Sequence, residues 1–163
     1  MDKSDLAKLA AALILFGVAG YSAFGWLRQD SGVSEKVFFY DLSEGKLFAG
    51  PRTAVPPIKG LNNAVRDAVR AVVISTNGNR ADRSSWKIAY LEMYSPELKS
   101  QIEAAQAAGT SPAMGGRLAQ AHRFVRRLAD PRWFSLSSPE GELIVNEWLT
   151  AGPGGGPAVV CTP

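Results

Sequence analysis

Hydrophobic and polar positions divide the chain sharply near its start. Residues 1–8 set Lys3 and Lys8 against Asp2 and Asp5, and 9–27 then read LAAALILFGVAGYSAFGWL without a charge. As a helix this run is about 28 Å long at ~1.5 Å per residue, close to a hydrocarbon core of ~30 Å. Lys8 and Arg28 close its ends, where long cationic side chains reach the headgroups, and Trp26 sits where an interfacial aromatic is expected. The pattern predicts a tail (1–8), a single transmembrane helix (9–27), a linker (28–36) and an extracytoplasmic domain (37–163). The competing reading is a signal peptide cut after Ala19 or Gly20. Two features favour the uncleaved anchor: the apolar run continues past Gly20, and the residues before it carry no net positive charge.

Beyond the linker the period changes. VFFYDL (37–42) and KLFAG (46–50) flank a glycine-containing turn and predict a hairpin, and the prolines at 51, 56 and 57 predict a loop. VRAVVIST, from Val69, predicts a strand pairing with 86–93 across the turn Asn77-Gly78-Asn79. Strict alternation places Trp86, Ile88, Tyr90 and Glu92 on one side of that second strand, and Lys87, Ala89, Leu91 and Met93 on the other. Ser95-Pro96-Glu97 and Ser138-Pro139-Glu140 are helix starts, each with a capping hydroxyl, a proline and an acidic first turn. The helices they open end at Gly109 and near Leu149, and AVVC (158–161) predicts a last short strand. Hairpins first and helices after, without βαβ alternation, predict an α+β domain: a small, mostly antiparallel sheet with helices packed on one face.

Charge adds one feature. The chain carries a net +3, and five arginines (117, 123, 126, 127 and 132) concentrate between 109 and 133 against the single Asp130. On a helical projection Leu118, Ala121, Phe124, Val125, Leu128 and Ala129 share one side. His122, Arg123, Arg126 and Arg127 take the other, which predicts a helix from Arg117 to Ala129 with a cationic face. Such a face suits anionic lipid headgroups or an acidic partner; the bland alternative is a solvated helix surface. The segment VFFYDL is apolar on both sides, so Phe38 and Tyr40 must be covered by the domain or else face a partner. Internal packing is the expectation.

The strings Phe38-Phe39-Tyr40-Asp41-Leu42-Ser43-Glu44-Gly45-Lys46-Leu47-Phe48, Arg70-Ala71-Val72-Val73, Trp133-Phe134, Ser138-Pro139-Glu140-Gly141 and Val160-Cys161-Thr162-Pro163 resemble a family of uncharacterised, membrane-anchored bacterial proteins. The resemblance implies the anchored architecture and brings no activity, cofactor or catalytic residue with it.

Motif chemistry is sparse. A single cysteine, Cys161, excludes an intrachain disulfide and a cysteine-based metal site, and the single histidine, His122, has no ligand-spaced partner. GPGGGP (152–157) lacks the lysine and hydroxyl of a phosphate loop, and G-x-S-x-G is absent. No cofactor or metal is expected, and the small net charge makes nucleic acid a poor fit. The expectation is a membrane-tethered, non-enzymatic interaction or accessory module of the cell envelope. Its partners would be the bilayer and a protein or a second copy of itself, met through His122, Arg123, Arg126, Arg127, Phe38 and Tyr40. A membrane-anchored hydrolase with scattered catalytic residues is the alternative, and a pocket gathering His122 with a carboxylate or hydroxyl would favour it. Cleavage of the N-terminal segment would leave a secreted domain instead.

Overall fold

The computed structural model describes residues 34–62, 65–149 and 157–163. The expected transmembrane helix and its flanking Lys8, Trp26 and Arg28 lie outside those residues. None of the described helices is long and apolar enough to cross a membrane.

Strands β1 (Lys36–Asp41) and β2 (Lys46–Pro51) form the expected hairpin, paired from Lys36↔Pro51 to Asp41↔Lys46. The Asp41 carboxylate locks its turn by accepting from the backbone N–H groups of Ser43 and Glu44, and it also holds that of Leu61. Strand β3 (Ala68–Ser75) pairs with β4 (Trp86–Tyr94), and β5 (Arg123–Arg126) and β6 (Phe134–Ser135) follow outward. The order is β2-β1-β3-β4-β5-β6 with every pairing antiparallel. Strand β7 (Val159–Cys161) pairs with Val73–Ser75 of β3, on the edge that β1 occupies at Ala68–Arg70.

Helix α1 (Pro96–Ala108) starts where expected: Ser95 accepts from the Leu98 N–H, and Gly109 closes the helix in the left-handed region at φ 65°. Helix α3 (Pro139–Asn146) is capped by Ser138 in the same way and passes into a 3-10 turn at Glu147–Leu149. Its Gly141 lies so close to β6 that a Cβ there would come within 2.0 Å of the Ser135 carbonyl oxygen, so no larger residue fits.

The segment 117–129 departs from its helical projection. Helix α2 covers only Gly116–Ala121, starts at Gly115 without a side-chain cap, and gives way to β5 after His122. Arg123-Phe124-Val125-Arg126 lacks the alternation of a half-buried strand, and pairing with Leu91–Tyr94 of β4 makes it one. A second departure lies in β4. Val72 pairs with Tyr90 but Val73 pairs with Ile88, so Ala89 is an extra residue and the alternation changes phase there.

The sheet therefore has two differently finished faces. On one, Phe39, Val55, Leu98, Ala105, Val125 and Ile144 are buried between the strands, α1, α3 and the 51–58 loop. Each fully buried large side chain there contributes about 1.5–3 kcal/mol. Arg70 ties the loop down by donating to the Arg52 and Ala54 carbonyls at 3.2 and 3.3 Å. Lys99 of α1 reaches the Val55 carbonyl, and Gln106 reaches that of Thr53.

Candidate interaction surface

The other face is assembled by register. Tyr40 pairs with Val69, Ala71 with Leu91, Val73 with Ile88 and Cys161, and Met93 with Phe124. Small and branched residues in the middle (Val69, Ala71, Val73, Leu91 and Cys161) are buried. Around them pack the half-buried Phe38, Tyr40, Leu42, Trp86, Ile88, Met93 and Trp133. No helix residue belongs to this cluster. Large aromatics shelter the small centre, and among the described residues no helix is laid over them in turn. Phe38 meets Trp86 edge to face, with ring centroids 5.7 Å apart.

Cations stand over its tryptophans. The Arg83 guanidinium lies 5.4 Å from the Trp86 ring centroid and that of Arg126 lies 5.0 Å from Trp133. Trp86 is fixed in turn, because its Nε1 donates to the Arg80 carbonyl at 3.2 Å. Arg126 donates from Nη1 to the Asp130 carbonyl, while its Nε is buried without a partner among the described residues. No strand position turned toward this face carries a carboxylate, since Asp41 and Glu92 both register on the covered side with Arg70.

The sequence-derived contact residues distribute unevenly over this framework. Phe38, Tyr40 and Arg126 come together on the uncovered face. Arg123 points to the covered one, as alternation in β5 requires, and Arg127, just past β5, turns to Glu147 beyond α3. Arg123 donates from Nε and Nη2 to Glu92 Oε1 at 3.1 and 2.8 Å, and Glu92 is only 4% exposed. Arg127 is held by Glu147 (Nε to Oε1, 2.8 Å) and Asp130 (Nη1 to Oδ2, 3.1 Å), and the Glu147 bonds raise its pKa further. A single cationic face therefore does not form. Trp86, Ile88, Met93, Trp133 and Arg83 belong to the uncovered surface although the sequence did not mark them as contacts. The bulge at Ala89 hides the first two, because it moves them onto the side of Leu91 and Met93.

His122 has a more pointed neighbourhood. Its Nδ1 lies 2.9 Å from Ser95 Oγ and 3.9 Å from Glu97 Oε2, and its carbonyl accepts the Ser95 N–H at 2.8 Å. Hydroxyl, imidazole and carboxylate are the ingredients of a nucleophilic triad, but the geometry is different. A triad puts the hydroxyl on one ring nitrogen and the carboxylate on the other, and here both address Nδ1. Ser95 is buried and already caps α1. Bonds from its own N–H and the Ser95 hydroxyl hold the Glu97 pKa below the usual carboxylate range. The trio fastens the end of α2 to the start of α1.

Two clefts in the domain do not draw on it. A groove of about 380 Å³ runs between α1 and the 51–59 loop, lined by Lys59, Arg66, Lys99 and Glu103 among others. A cleft of about 320 Å³ opens where β1 and β7 diverge along β3, lined by Arg70, Glu92 and Cys161 among others. Burial pushes the Cys161 thiol pKa up, which makes it a poor nucleophile. Among the described residues no three His, Cys, Asp or Glu side chains are grouped to hold a metal ion. No protein-family model, curated protein or solved structure matches the chain.

Proposed function

We propose that this chain is a membrane-tethered, non-enzymatic interaction or accessory module of the cell envelope, and that the uncovered sheet face is its contact surface. One observation carries the reading: an apolar cluster with a rim of half-buried aromatics that draws in no helix residue, on a sheet whose opposite face buries residues of two helices. An uncovered apolar face of a folded domain is a place to be occupied. The uncharged run at 9–27 supplies the tether, and its length suits a bilayer. Against hydrolysis stand the geometry at His122 and the raised Cys161 pKa.

The test has two arms on the full chain. Intact-mass analysis of the membrane fraction after a high-salt wash should find residues 1–27 still attached. A soluble protein beginning near Tyr21 would replace the tethered module with a secreted domain. Phe38→Ser with Trp133→Ser should leave circular dichroism unchanged and reduce co-sedimentation with whatever the face holds. Unchanged association would remove the face from the account.

A further inference from the structure

Resting on the tethered reading, we infer that the occupant of the uncovered face is the anionic lipid surface of the membrane that anchors the chain. Three independent features point there. The first is the residue type: Trp86, Trp133 and Tyr40 each join a flat apolar ring to a polar edge, the combination that settles at the depth of lipid headgroups. The second is charge. Arg83 and Arg126 lie on the rings of Trp86 and Trp133, and no carboxylate registers on that side of the strands. A partner bearing both acyl chains and phosphates matches an apolar centre with guanidinium groups on its rim, whereas a second copy would bring arginines against arginines.

The third is the reach of the chain. Lys36, the first residue of β1, follows Leu27 by nine positions, a span of at most about 30 Å at 3.3–3.6 Å per residue. Phe38 and Tyr40 lie in that same strand. Anchored through a tether this short, docking on that membrane is intramolecular, so a weak surface affinity suffices to populate it.

The experiment reads the two rim tryptophans directly. The chain has four tryptophans, at 26, 86, 133 and 148, so Trp26→Phe with Trp148→Phe leaves only Trp86 and Trp133 to emit. Full-length protein is reconstituted into vesicles with brominated acyl chains, of phosphatidylcholine alone or mixed with phosphatidylglycerol. The expected result is emission quenched several-fold more in the mixed vesicles. Adding Arg83→Glu and Arg126→Glu should return quenching to the level in phosphatidylcholine. If those charge reversals disturb the circular dichroism, Arg83→Gln with Arg126→Gln is expected to give the same direction of change. Equal or absent quenching while the protein survives a high-salt wash overturns lipid docking alone and leaves the tether standing. Emission that follows protein concentration instead of lipid composition overturns it in favour of a second copy. Protein that washes off the vesicles overturns the tether, and lipid docking with it.

Discussion

The two faces of one sheet are finished differently: helix residues Leu98, Ala105 and Ile144 are buried on one, and none joins the apolar cluster on the other. On the covered face Arg123 ends on Glu92 with its guanidinium also 5.8 Å from the Tyr94 ring, Arg127 ends on Glu147 and Asp130, and Arg70 on the Arg52 and Ala54 carbonyls. On the uncovered face Arg83 and Arg126 lie against indole rings. A charge beneath a helix layer must be paired, because leaving it buried alone costs several kcal/mol. A charge beside open apolar surface can rest its plane on an aromatic and keep its edge toward water.

The strongest way to break the comparison is Phe39→Ala on the covered face. Phe39 is 0% exposed and stacks on Phe48, so the loss should be about 3–5 kcal/mol, read as a lower midpoint in urea unfolding. Arg123→Ala comes next. It strands Glu92, whose side chain is 5% exposed, but the arginine is 37% exposed. The expected loss is about 2–3 kcal/mol, below the full cost of breaking a completely buried pair. Ser95→Ala removes the α1 cap and the His122 contact and should cost about 1 kcal/mol in thermal unfolding, without altering any ester or peptide hydrolysis assayed alongside.

A pH titration separates the turn from both faces. The Glu44 N–H, followed by those of Leu61 and Ser43, holds the Asp41 carboxyl below its ordinary pKa. A lowered folded pKa stabilises above the unfolded value, about 3.9, and that contribution is lost as pH falls through both values. Stability should therefore drop in acid, and Asp41→Asn should flatten that part of the pH profile. The smallest stability effect belongs to the uncovered face. Trp133→Ser removes a half-buried ring and should cost no more than about 1 kcal/mol, while its effect on membrane association should be the largest of the series.

Legibility in the sequence followed the range of the interactions involved. The β1–β2 hairpin, the β3–β4 pair, β7 and the two Ser-Pro-Glu helix starts rest on local turn and cap chemistry, and the chain announces them. The segment 117–129 does not, because its local pattern is helical and only the neighbour supplied by β4 turns Arg123–Arg126 into a strand. The candidate surface was half visible. Phe38 and Tyr40 stood out because VFFYDL is apolar on both sides, and that segment was expected to be covered on both. Strict alternation puts Trp86 and Ile88 on the side of Glu92, since a bulge at Ala89 leaves no mark in the pattern of residue types. Which face the helices choose is decided by packing at long range, and no local window contains it.

Hydroxyl-radical footprinting of native membranes tests the central claim most directly, with Trp148, which follows α3, as internal reference. With lipid on the uncovered face, Trp86, Met93 and Trp133 react less in membranes than in detergent-dispersed protein, while Trp148 reacts alike in both. Equal labelling of all four residues in the two states would contradict it.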